Sequence, residues 1–126
     1  MTRYTPVAGI APLREAVAEE SQRVRDVPCT PANTIVSVGA KHVLYEFFAA
    51  TINPGDEVII PAPYWVSYPD QVLLVGGKPV IVETTAADGF VLSPEAFKKA
   101  LTPKTKALVL NTPSNPTGAV YPPEAV

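Results

Sequence analysis

Apolar and polar positions alternate along this chain with two different periods, and the change of period marks out its elements. Residues 12–25, PLREAVAEESQRVR, carry Leu13, Val17 and Val24 near one face among charged neighbours, with Pro12 suited to a first helical turn, so they predict an amphipathic helix. Thr34 to Val38, TIVSV, is short, β-branched and apolar, and predicts a strand. It passes through Gly39 into AKHVLYEFFAATI, where Val43, Leu44, Phe47 and Phe48 recur at helical spacing. The turn Asn53-Pro54-Gly55-Asp56 precedes a second strand, EVIIP at 57–61, apolar enough to be covered on both faces.

The rest of the chain repeats the alternation. The loop Pro61-Ala62-Pro63-Tyr64 leads into a helix that ends at Gly76-Gly77, and KPVIVE (78–83) predicts the next strand. Ser93-Pro94-Glu95 offers a serine cap with proline in the first turn and opens a helix to Leu101, after which KALVLN (106–111) is the last strand. Strands separated by helical segments, with little polar alternation inside each strand, define an α/β fold: a mainly parallel sheet with helices on both faces. In such sheets ligands bind at the carboxyl ends of the strands.

Composition narrows the function. The 126 residues are 47% hydrophobic, enough for a core, and match the size of one compact domain. Ten Lys and Arg stand against twelve Asp and Glu, and the basic residues are dispersed except for Lys98-Lys99, a pattern that speaks against nucleic acid or an anionic membrane as partner. The single Cys29 has no second thiol and no neighbouring histidine for a metal site, which favours a reducing, cytoplasmic setting. No apolar stretch approaches the roughly 20 residues that a membrane helix needs. His42 and the turn at Asp88-Gly89 read as structural features.

Three segments follow strand ends. Ser37-Val38-Gly39-Ala40-Lys41 is a small-residue turn at a helix amino terminus, where backbone N–H groups and the helix dipole suit a phosphate, although many such turns only connect strand to helix. Pro63-Tyr64-Trp65 follows EVIIP, and its tryptophan suits either core packing or stacking on a planar ring. Asn111-Thr112-Pro113-Ser114-Asn115-Pro116-Thr117-Gly118 is good turn chemistry, and it also suits a loop that aims the Asn115 amide at a ligand oxygen.

Taken together, these segments resemble the fold-type I pyridoxal-phosphate aminotransferases, in particular the bacterial aspartate aminotransferase branch. Ser114-Asn115-Pro116-Thr117-Gly118 is similar to that family's NPTG loop, and Ala62-Pro63-Tyr64-Trp65-Val66-Ser67-Tyr68-Pro69 to its aromatic cofactor loop. Ser37 to Lys41 and the opening Tyr4-Thr5-Pro6-Val7-Ala8-Gly9 fall in family order. The resemblance implies pyridoxal 5'-phosphate as cofactor, with Trp65 stacked on its pyridine ring and Asn115 bonded to its phenolic oxygen. It further implies that Gly39, Ala40 and Lys41 line the phosphate and that Tyr4 reaches the phosphate of a neighbouring subunit, hence a homodimer. Lys41 is a second candidate contact, with the distal carboxylate of an acidic substrate, so Lys41, Trp65 and Asn115 would also meet small amino-acid and 2-oxo-acid substrates.

The same resemblance places the lysine that joins the cofactor covalently, the aspartate at its pyridine nitrogen and the arginine for the substrate α-carboxylate beyond residue 126. None of Lys41, Lys78, Lys98, Lys99, Lys104 and Lys106 stands in the matching context, so no catalytic residue is expected here. Residues 1–126 are then expected to be part of the large, cofactor-binding domain of such a transferase, truncated at both ends and inactive alone. A different reading is a non-catalytic remnant that acts as a binding or interaction module. An oxidoreductase fits poorly, because no G-x-G-x-x-G follows a strand.

Overall fold

The computed structural model describes residues 4–126, in two compact units, Met1–Val43 and Leu44–Val126. In the first, helix α1 (Ala11–Arg25) has proline in its first turn and closes on Asp26 in the left-handed conformation. Arg14 ties α1 to the segment after it: its Nε donates to the Thr34 carbonyl at 2.9 Å, and its guanidinium also donates to the Pro31 carbonyl.

Thr34 to Val38 does not form the expected strand. Its Val36 N–H donates to the Ala8 carbonyl at 3.0 Å, but no continuous ladder follows among the described residues, and Ile35 and Val38 are 69% and 89% exposed. A β-branched run becomes a strand only when a neighbour satisfies its backbone in series. Helix α2 (Ala40–Thr51) begins directly after Gly39 and continues into the second unit.

The second unit holds a three-stranded parallel sheet in the order β2-β1-β3, with β1 at Glu57–Ala62, β2 at Lys78–Glu83 and β3 at Thr105–Leu108. The sheet is parallel, as its apolar strands imply. The central strand explains the run EVIIP: Val58, Ile59 and Ile60 are all 0% exposed. Val58 and Ile60 share one face, where they pack with Phe48 and Ile52 of α2 and with Tyr68 and Val72 of α3 (Ser67–Leu74). Ile59 points to the opposite face. That face also receives Leu108 and Leu110, which border a groove with Phe97 of α4 (Pro94–Ala100). Burying side chains of this size is worth about 1.5–3 kcal/mol each.

Local chemistry sets the boundaries. Ser93 caps α4 by accepting the Ala96 N–H at 3.1 Å. Gly77, between α3 and β2, has no room for a side chain: an added Cβ would stand 2.7 Å from Ile52 Cγ2 and 3.0 Å from Val72 Cγ1. β3 ends at Leu108, short of the expected KALVLN, and its pairing with β1 is shifted between Glu57 and Val58. The bond from Val109 N–H to the Ile59 carbonyl, 2.9 Å, extends the pairing one step beyond Leu108. The turn at the end of the sequence is a short 3-10 helix, Pro123–Ala125.

The amino end of the sheet is closed by one carboxylate. Glu57 is 5% exposed, and its oxygens accept from Lys78 Nζ at 2.9 Å and from the Thr102 hydroxyl at 2.6 Å. The Thr102 hydrogen bond, then Lys78, hold its carboxyl below the ordinary value, outweighing the opposing effect of burial.

Candidate functional site

In the first unit, the expected phosphate seat is a helix start. Gly39 adopts φ +109°, a backbone conformation that L side chains rarely adopt, and a Cβ built on it would meet nothing within 4 Å. Its carbonyl accepts the N–H groups of both His42 and Val43 at 3.1 Å, so α2 begins here. Ala40 and Lys41 form the exposed first turn. The Ser37 hydroxyl hydrogen-bonds the His42 ring at Nδ1 and spans the turn from outside. First-turn N–H groups after a glycine, with a lysine beside them, are groups able to donate to an anion such as phosphate. Tyr4 is fully exposed.

In the second unit, the segments after β1 and β3 come together at the carboxyl end of the sheet. A cleft there is lined by Ala62, Pro63, Tyr64, Tyr68, Asn111 and Asn115, among others. It encloses about 20 Å³. That is room for roughly one water, so the cleft as it stands is not a ligand-sized pocket.

Asn115 is exposed at this cleft, and its own N–H donates to Asn111 Oδ1 at 2.9 Å. Trp65 does not line the cleft. It lies half-buried beside the core, its ring 5.5 Å from that of Tyr68 at 89°, and its carbonyl accepts the Tyr68 N–H at 3.0 Å. Such an edge contact orients the indole without consuming all of its surface. Burial raises the Tyr68 phenol above its ordinary value.

Three cleft residues were not singled out as site candidates from the sequence, although two of them lie in the aromatic loop. Tyr64 and Tyr68 line the cleft as aromatic neighbours of Trp65, and their placement in the run PYWVSY is the signal that was available. Tyr121 also lines it, 7% exposed, with its phenolic oxygen accepting the Leu92 N–H at 3.0 Å. Nothing in its local sequence announces that long-range bond. Among the described residues no cluster of His, Cys, Asp or Glu is able to hold a metal, and no helix is long and apolar enough to cross a membrane.

A parallel sheet whose strands end in an aromatic loop and an asparagine-proline loop, in a chain with a glycine-led helix start, is the pattern of a known enzyme class. The sequence model of the class I and II aminotransferases matches residues 1–126, and the chain belongs to that family. It is 55% identical over 125 residues to a probable aspartate/prephenate aminotransferase of Thermus aquaticus, covering 99% of this chain and 33% of that protein. With the aspartate aminotransferase of Bacillus subtilis it shares 52% over 123 residues, 98% of this chain and 31% of the relative. Among solved structures, an aspartate aminotransferase from Thermus thermophilus with maleate superposes with a TM-score of 0.96 at 55% identity, covering 98% of this chain and 32% of the other. An aromatic aminotransferase from Pyrococcus horikoshii gives 0.94 at 41% identity, covering 98% and 34%. The chain thus spans about a third of the length of these relatives.

Taken unit by unit, the residues suit pyridoxal phosphate by their chemistry: in the first, the first-turn donors of α2 and Lys41 suit a phosphate; in the second, a tryptophan and an asparagine carboxamide suit a planar ring bearing an oxygen.

Proposed function

We propose that this chain supplies the cofactor-seating part of a pyridoxal-phosphate-dependent aminotransferase that moves the amino group of aspartate to 2-oxoglutarate. The observation that carries the proposal is the Asn115 loop at the carboxyl end of the sheet, sharing a cleft with Tyr64 and Asn111 in a member of the aminotransferase family. The relatives named for aspartate or for aspartate and prephenate support an acidic amino donor. When bound, the cofactor supplies an electron sink for carbanion chemistry at the substrate α-carbon.

The residues of this chain then bind and orient. Gly39, Ala40 and Lys41 receive the phosphate at the start of α2. The Trp65 indole stacks on the pyridine ring, and the Asn115 carboxamide donates to the phenolic oxygen. Trp65 and Asn115 also border the amino-acid and oxo-acid substrates, and Lys41 is the residue here suited to the distal carboxylate. Tyr4, exposed and unburied by its own chain, suits a role at a neighbouring subunit's phosphate in a homodimer. A cytoplasmic setting agrees with the lone Cys29.

In this reading the chain by itself does not transaminate, because none of its lysines matches the residue that joins the cofactor covalently. Incubation with pyridoxal phosphate, borohydride reduction and peptide mapping is expected to leave no stoichiometric label on any one lysine, and no oxaloacetate is expected from aspartate and 2-oxoglutarate. A single fully labelled lysine, or turnover by the isolated chain, would overturn this part of the proposal.

A further inference from the structure

Asn111 and Thr112 begin the loop beyond β3, and each returns a side-chain oxygen to that loop's backbone. Asn111 Oδ1 accepts the Asn115 N–H at 2.9 Å, and Thr112 Oγ1 accepts the Tyr121 N–H at 3.0 Å. Pro113 and Pro116 have no N–H to donate, so the loop depends on few backbone donors. Those donors turn inward: Ser114 N–H reaches the Ala119 carbonyl and Gly118 N–H the Ser114 carbonyl, both at 2.8 Å. Tyr121 anchors the far end through the bond that it receives from the Leu92 N–H. The loop is closed at its foot by Thr112 and Tyr121, and tied at its tip by Asn111 and Asn115.

The direction of a side chain is set by the backbone that carries it. The peptide group at Asn115 is tied to Asn111, which lies shortly after β3, and both residues line the cleft. We infer that Asn111 is a positioning residue, which fixes the backbone of Asn115 so that its carboxamide is presented at the cleft. The inference rests on the proposed cofactor role of Asn115, and Asn111 acts through Asn115 without touching the cofactor.

The test uses Asn111→Ala, Asn111→Asp, Asn115→Ala and the double variant Asn111→Ala/Asn115→Ala. Amide hydrogen exchange at Asn115 reads the tie directly, and quenching of Trp65 fluorescence by pyridoxal phosphate reads its consequence. The Asn115 amide is expected to exchange about tenfold faster in Asn111→Ala, and at the native rate in Asn111→Asp, which keeps the acceptor oxygen. Cofactor affinity is expected to fall about five- to tenfold in Asn111→Ala, and no further in the double variant than in Asn115→Ala alone.

Unchanged exchange in Asn111→Ala, or additive losses of affinity in the double variant, would overturn the inference. If Asn111→Ala does not fold, rapid exchange at Asn115 in Asn111→Asp would overturn it and native protection would support it. A wild-type chain that binds no pyridoxal phosphate would sink the cofactor reading of Asn115, while the exchange measurement still decides whether Asn111 holds it.

Discussion

The two ends of the central sheet are built on opposite principles. At the amino end, Glu57 is buried with both oxygens occupied, its N–H donates to the Lys104 carbonyl at 2.8 Å, and Lys78 and Thr102 converge on it from β2 and from the turn before β3. At the carboxyl end, Asn115 stands exposed at an open cleft, and the hydrogen bonds around it hold the loop and not the carboxamide itself. One end satisfies its polar groups internally; the other orders its backbone and presents its side chains. That division is general in parallel sheets, where strand carboxyl ends carry ligands and the opposite ends serve stability.

The comparison breaks most visibly if its common frame is removed. Ile60 is 0% exposed within the cluster of Phe48, Val58, Tyr68 and Val72, so Ile60→Ala is expected to cost about 2–5 kcal/mol in denaturant unfolding and to damage both ends together. A loss well under 1 kcal/mol would mean that this cluster does not support the unit.

At the amino end alone, Glu57→Gln is expected to lower stability at neutral pH and leave cofactor binding untouched. The folded carboxyl titrates below its ordinary value of 4.5, so the unfolded chain takes up its proton first as the pH falls. The stabilisation is therefore complete above 4.5 and disappears as the pH drops through the lower, folded value. Urea midpoints of the two proteins are expected to converge over that acidic range. A constant gap between them would show that the charge of Glu57 contributes nothing.

Much of this was legible because it is local. The period of PLREAVAEESQRVR gave α1 nearly to the residue, Ser93 announced the cap of α4, and KPVIVE is β2 from end to end. The Asn115 loop and Trp65 were recognisable as candidate site residues for the same reason: their chemistry lies in short contiguous runs. What escaped depends on distant partners. TIVSV has the composition of a strand but no continuous ladder among the described residues, and the closure of Glu57 by Thr102 joins residues 45 positions apart. Tyr121 finds Leu92 across 29 positions, and no spacing rule reveals that contact.

The smallest effect on stability is expected at the carboxyl end. Asn115→Ala removes an exposed side chain while its backbone bond to Asn111 can persist, so the unfolding free energy should change by about 0.5 kcal/mol or less. A larger loss would make Asn115 a structural residue and erase the contrast between the two ends.

The central claim, that this carboxyl end seats pyridoxal phosphate, is tested most directly by titrating the chain with that compound while following the emission of Trp65, its single tryptophan. The account predicts saturable quenching whose midpoint moves about tenfold higher in Asn115→Ala, the loss of one well-placed hydrogen bond to a charged partner. No saturable quenching, or an identical curve in Asn115→Ala, would contradict it.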